Sequence, residues 1–299
     1  MSAGESWPAP AKLNLFLHVT GRRADGYHEL DTLFQLVDLC DELAIEPRRD
    51  GVIERRRGAP GVAPEADLVV RAARALRDRV GRPELGATLD VTKRIPLGGG
   101  LGGGSSDAAT ALVALNALWG LDLAVGELAR LGLGLGADVP VFVHGATARA
   151  TGVGERLAPF EVPPAWFAVV HPGIGVPTAG VFQAPELTRN SPPATIRGSL
   201  PAGWTSQPLP GRNDLEPVVR ARHPEVAAAL ERLGRHGEAR LTGSGACVYA
   251  AFADERAAAR AAADVAAGWQ GWAVAGLARS PLLARLERER RSRAGGAEG

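Results

Sequence analysis

A chain of 299 residues, 45% hydrophobic and 22% charged, holds enough apolar material for one large domain or two ordinary ones. Its formal net charge of +1 gives no overall field for nucleic acid or an anionic membrane, and its two cysteines, Cys40 and Cys247, form neither a zinc spacing nor a disulfide framework. No apolar run reaches the ~18 residues of a membrane helix and no secretory leader is seen, so a cytoplasmic protein is expected.

In chain order, Leu13, Leu15, Leu17 and Val19 alternate with other residues, which predicts a half-buried strand. GRRADGYH reads as a polar turn, and DTLFQLVDL and DELAIEP as two further strands. EADLVVRAARALRDRV places Leu68, Ala72, Leu76 and Val80 along one helical face. ATLDVTKRI reads as a strand running into Pro96 and a loop with six glycines in the seven positions 98–104. Beyond it Leu112, Leu115 and Trp119 fall on helical spacing, with Ser105 or Ser106 as cap and Asp107 in the first turn, where an acid is favoured. VGELARLGL is a short helix. GADVPVFVHG stays open: Val141 and Val143 alternate as in a strand, yet Asp138 followed by Pro140 opens a helix equally well.

AWFAVVHPG begins a second set of elements at Ala165. A Pro/Ser-rich stretch from about 185 to 212 reads as loop. Next come a helix from Asp214 to about Gly234, strands at EARLTGS and ACVYAAF, a helix at DERAAARAAADVAA and a strand at WAVAGLA. That order, β-α-β-β-α-β, is the ferredoxin-like pattern. The chain therefore divides into residues 1–160, residues 161–285, and a charged tail, 286–299, expected to fray into disorder. The fold class is α+β.

Glycine lets backbone N–H groups approach a ligand closely, and such a loop feeding a helix N-terminus is an anion site, most often for phosphate. A P-loop is excluded, because Gly104 stands where its lysine belongs. Gly98, Gly100 and Gly103 match the dinucleotide pattern, with Asp122 at a suitable distance for a ribose. Asp122 follows a helix and a turn rather than a second strand, which weakens that reading. A protein-kinase glycine loop would continue into a strand, and this one continues into a helix.

PLGGGLGGGSSDAA resembles the phosphate-binding motif Pro-x-x-x-Gly-Leu-Gly-Ser/Gly-Ser of the GHMP small-molecule kinases. LTGSGACVYAAF resembles that family's C-terminal glycine motif. PAKLNLFLHVTGRRADGYHEL, GADVPVFVHG and RNDLEPVV are similar to a branch of the family whose acceptor is a cytidine diphosphate-linked methylerythritol. The five matches run in order from Pro10 to about Phe252. The resemblance implies a first domain like domain 2 of ribosomal protein S5 and a ferredoxin-like second domain. It also implies ATP-dependent phosphorylation of the 2-hydroxyl of that acceptor, on the non-mevalonate route to isoprenoid precursors.

Residue by residue, the resemblance implies that Lys93, Pro96, Leu97, Gly98, Gly99, Gly100, Leu101, Gly102, Gly103, Gly104, Ser105 and Ser106 hold ATP with Mg2+, the metal ligand staying unassigned. Asp138, on the residues alone a turn former or helix cap, becomes the base that takes the acceptor's proton. Lys12, odd in an apolar strand, becomes its electrostatic partner. Asn14, on the same strand face as Lys12, would bond the polyol. Tyr27 and His28 would recognise cytosine, with Phe182 on the ring's opposite face. His18, His144 and His171 form no metal spacing and read as structural. Asp67 departs from the family's asparagine near adenine; a carboxylate accepts hydrogen bonds where an amide could also donate.

Overall fold

The alternating run at the start becomes a 16-residue strand, β1 (Trp7–Arg22), that reverses through Gly26 into a 21-residue strand, β2 (His28–Arg48). The computed structural model describes residues 6–196, 198–209 and 211–295. Then follow β3 (Ile53–Arg57), α1 (Leu68–Val80), β4 (Gly86–Thr92), α2 (Gly103–Leu118), α3 (Val125–Leu133), α4 (Val139–His144), β5 (Ala148–Gly152) and β6 (Arg156–Pro159). β2 is the spine of this lobe. It pairs antiparallel with β1 throughout, with β4 along its C-terminal half and with β5 along its N-terminal half.

The helices cover one face of that sheet. Asp67 caps α1 by accepting from the Val69 amide, and Gly81 ends it in the left-handed region. Residues 106–116 of α2 are all buried, so its sequence shows no polar stripe. A helix apolar on every side belongs in a core.

The second lobe comprises β7 (Trp166–His171), α5 (Thr178–Phe182), α6 (Glu216–Arg222), α7 (Pro224–Leu233), β8 (Arg240–Leu241), β9 (Val248–Phe252), α8 (Glu255–Val265), β10 (Gln270–Leu277) and α9 (Pro281–Gly295). Its strand order β10-β7-β9-β8, antiparallel throughout, is the ferredoxin-like arrangement. Ala168 and Val170 of β7 pack with residues of α6, α7 and α8. Phe167 and Val169, on the other face, pack with Leu13 and Leu15 of β1 and with Trp204. β10 also pairs with β2 at Gly276 and Leu277, so the two lobes share one ten-stranded sheet among the described residues.

Three expectations change. DTLFQLVDL and DELAIEP are one strand rather than two: the register jumps from Ala11–Val37 to Pro10–Cys40, and the break between them is a bulge. The helix foreseen over 214–234 is two, because Pro224 forces His223 into extended backbone (φ −130°, ψ 91°). Residues 286–295 are helical, not disordered, as part of α9, and 296–299 lie outside the described residues. α9 returns to the first lobe. Leu282 is buried there, Arg285 lies 4.2 Å over the Trp7 ring, and Arg293 donates to the Leu118 carbonyl at the end of α2 (2.9 Å).

The described residues of 185–212 are irregular apart from one turn of 3-10 helix at Trp204–Ser206 and a single bridge from Ser199 to Glu161, and they are tied down. Arg149 bridges Asp31 to the carbonyls of Ala194 and Ile196, and Trp204 is buried with its indole N–H on the Pro163 carbonyl.

Candidate active site

A cleft of about 880 Å³ opens between the lobes. Its walls bring together Lys12, Asn14, Tyr27, His28, Lys93, residues 96–105, Asp138 and Phe182. This volume suits a nucleotide-sized ligand.

The glycine loop forms one end. Gly98, Gly100 and Gly102 have φ of 66°, 73° and 73°, alternating with residues of ordinary backbone, the pattern that turns successive amides inward as an anion nest. The loop's carbonyls are held from outside. Ala246 and Cys247 donate to Gly98 and Gly99 (2.9 and 3.0 Å), and Lys12 donates through its backbone to Leu101 (3.0 Å). The amides of residues 98–105 donate no hydrogen bond to any described residue. Unpaired donors at the start of a 16-residue helix add to its positive end. At Gly100 a Cβ would lie 2.2 Å from the Thr242 carbonyl oxygen, so the second lobe closes on bare backbone there.

α2 starts at Gly103 after Gly102, so neither serine is its cap. Ser105 lines the cleft. Ser106, about 100° further round the helix, turns into the core, where it is fully buried with an unpaired hydroxyl, and it is not among the cleft-lining residues. Asp107 lies beyond the first turn and is buried rather than exposed to the helix end. Lys93 reaches between Asp41 and Asp107, so its charge is matched from below the loop by two carboxylates. Asp41 also accepts from the Arg94 and Ile95 amides (2.5 and 2.8 Å), fixing the strand's exit into the loop. Burial, helped by Asp41 and opposed by Lys93, pushes the Asp107 carboxyl up to about 7. Burial would lower the Lys93 ammonium, but the two carboxylates outweigh it and hold it above its usual value.

Lys12 and Asp138 meet in the middle of the cleft, Nζ to Oδ2, at 3.3 Å. Lys12 is 3% exposed and also donates to Asn14 Oδ1 (2.6 Å). Asn14 donates in turn to the Thr32 hydroxyl (2.8 Å), and its backbone amide donates to Thr242 Oγ1 (3.0 Å). Asp138 precedes α4, which resolves GADVPVFVHG as helix. Its side chain caps no amide and keeps 33% of its surface open. A carboxylate beside an ammonium, open to a cleft and free of capping duty, is placed to accept a proton.

At the far end stand Tyr27, 63% exposed, and His28, whose ring lies 5.1 Å from that of Phe182 at 33°. His28 and Phe182 thus pack on each other rather than standing apart on opposite faces of a gap, and both line the cleft. Asp67 is not among the cleft-lining residues: Arg55 and the Val69 amide hold its carboxylate, while Leu68 faces the cleft. Asp122 lies past the far end of α2, about 24 Å of helix from the loop, which removes the ribose contact a dinucleotide site needs. Asn213 and Arg189 were not singled out as site residues; Thr242 lies in LTGSGACVYAAF, the turn that the resemblance sets facing the cleft, and Gly243 and Ser244 of that turn line it. Asn213, within RNDLEPVV, donates to the carbonyls of Leu241 and Gly243 and so shapes the second glycine turn. Arg189 carries no signal in spacing.

Comparison with known proteins gives a consistent picture. A family profile described as GHMP kinases N terminal domain matches residues 67–146, and one described as GHMP kinases C terminal matches residues 202–271. The 4-diphosphocytidyl-2-C-methyl-D-erythritol kinase of Alkalilimnicola ehrlichii is 57% identical over 293 residues, covering 98% of each chain. That of Cupriavidus necator is 56% identical over 278 residues, covering 93% of this chain and 94% of its own. A crystal structure of 4-(cytidine 5'-diphospho)-2C-methyl-D-erythritol kinase superposes with a TM-score of 0.79 at 38% identity, covering 91% of this chain and 99% of the other. Methanococcus jannaschii mevalonate kinase, at 15% identity and a TM-score of 0.62 over 92% of this chain and 99% of its own, shares the fold.

Proposed function

The chain belongs to the GHMP kinase family, and we propose that it transfers the γ-phosphoryl group of ATP to the 2-hydroxyl of 4-diphosphocytidyl-2-C-methyl-D-erythritol. The products are the 2-phosphate and ADP, on the non-mevalonate route to isoprenoid precursors. The observation that carries this reading is the convergence in one cleft of a cradle of unpaired amides, the Lys12–Asp138 pair and an aromatic corner of Tyr27, His28 and Phe182.

Phosphoryl transfer asks chiefly for positioning and charge stabilisation. The amides of residues 98–105 and the positive end of α2 bind the triphosphate. Asp138 takes the proton of the attacking hydroxyl, and Lys12, anchored through Asn14, offsets charge gathering on the transferred group. Asn14 orients the polyol. Mg2+ fits this site as a hard cation held mainly by phosphate oxygens and water, and the Ser105 hydroxyl at the cradle's rim is the side chain that would hold it. When bound, it neutralises the phosphates.

The protein works in the cytoplasm as a monomer or weak homodimer, without nucleic acid or membrane. No helix among the described residues is long and apolar enough to cross a membrane. The test is a panel of alcohols offered with labelled ATP. Label should pass to the cytidyl methylerythritol and not to mevalonate, homoserine or galactose; transfer to one of those instead overturns the substrate assignment.

A further inference from the structure

Arg189 lies in the irregular 185–212 stretch, and all three of its guanidinium nitrogens are engaged. Nη1 donates to the Leu187 carbonyl (3.0 Å), and Nη2 to those of Phe182 (3.0 Å) and Ala184 (2.6 Å). Nε donates to His28 Nε2 at 3.1 Å. A guanidinium only donates and does not lose its proton. His28 Nε2 must therefore present its lone pair, and the ring's single proton sits on Nδ1. That nitrogen bonds no described residue and is not sealed from solvent, on a side chain that lines the cleft. The charged groups acting on the ring are Arg189 and Arg22, both cations, and they add to burial in holding its pKa below the usual value. Phe182 covers one side of the ring.

We propose that Arg189 is a specificity-determining positioning residue, which fixes His28 as an Nδ1–H donor and thereby selects cytosine over uracil in the acceptor. Cytosine offers two adjacent acceptors, O2 and N3. Uracil carries a hydrogen on N3, so the same pose sets one N–H against another. A site built around a hydrogen bond rejects the analogue that cannot make it, here by about 100-fold in kcat/KM. This inference rests on the cytidyl reading above for its ligand, but the tautomer does not.

Two measurements test it. In the full chain labelled with 15N-histidine, the His28 signals are identified by their loss in His28→Gln. They should show an Nδ1–H tautomer at pH 8 and protonation only below the ordinary histidine value; an Nε2–H tautomer, or titration at or above that ordinary value, overturns the proposal. In the second, kcat/KM is compared for the cytidine diphosphate-linked acceptor and its uridine analogue. Arg189→Met should bring the preference from about 100-fold to under about tenfold, mainly through KM for the cytidine compound. Arg189→Lys, whose ammonium is also a pure donor, should keep most of it although the carbonyl fork is lost. Equal loss on both acceptors, with the ratio unchanged, means Arg189 only holds the backbone, and overturns the proposal. If the unaltered protein used neither acceptor, the substrate reading and the specificity claim would both fall, and the spectra alone would decide the tautomer.

Discussion

On the proposed function, the two ends of the cleft would recognise their ligands by opposite means. At the glycine loop the donors are backbone amides, aimed by φ angles and by carbonyls tied to neighbouring segments, and no rotamer can move them. At the other end the contacts are side chains from three separate stretches, Tyr27–His28, Phe182 and Arg189, one of them largely exposed. Phosphate is the part of the reaction common to every kinase of this kind, and a rigid cradle serves it. The base is what distinguishes one acceptor from another, and side chains can be exchanged without disturbing the cradle.

The largest expected effect falls where the ends meet. Asp138→Asn should lower kcat by roughly 10³-fold with ATP affinity nearly unchanged, measured by single turnover and nucleotide titration. A loss below tenfold would mean that the centre does no proton transfer. Next, Gly100→Ala places a methyl 2.2 Å from the Thr242 carbonyl at a φ of 73°. ATP binding should weaken by about 100-fold, at a cost comparable to other steric and backbone strain. CDP, which has only the far end to hold it, should bind within about twofold of normal; equal weakening of both would erase the contrast between the two ends.

Asp107 gives an intermediate effect. Its folded-state value, about 7, lies above its value in the unfolded chain, so its stabilising contribution is complete below about pH 4 and lost as pH rises towards 7. Asp107→Asn cannot ionise. Urea midpoints at pH 4.5 and 8 should show the wild type losing roughly 3 kcal/mol relative to this variant. An unchanged difference would show that the acid under the cradle stays ionised throughout. The smallest effect belongs to Tyr27→Ala: KM for the cytidyl acceptor should rise about fivefold, with KM for ATP and kcat unaltered, because an exposed aromatic contact contributes about 1 kcal/mol.

The difference between the ends also explains what could be read in advance. Six glycines between a strand and a helix have few physical uses, so the cradle was legible, as was the β-α-β-β-α-β order of the second lobe. Asp138 as base and Lys12 as its partner came from the resemblance. What escaped was set by contacts between residues far apart in the chain. The Asn14 amide meets Thr242 across 228 positions, and Arg189 meets His28 across 161. β2 read as two strands because the bulge between Val37 and Cys40 interrupts the alternation that marks one strand. α9 was misjudged because its charges outweighed Leu282 and Leu286, the side chains that dock it. Ser105 and Ser106 differ in role only because the helix begins at Gly103, a boundary that composition does not fix.

The donors from Ala246 and Cys247 to the loop's carbonyls have a consequence for how this enzyme can be divided. A fragment ending after β6 would retain every glycine of the phosphate motif yet lack the turn between β8 and β9 that orients them. The motif-bearing half is therefore no portable cassette. Truncation, circular permutation or recombination that parts the glycines from residues 242–247 should abolish nucleotide capture while leaving the signature sequence whole.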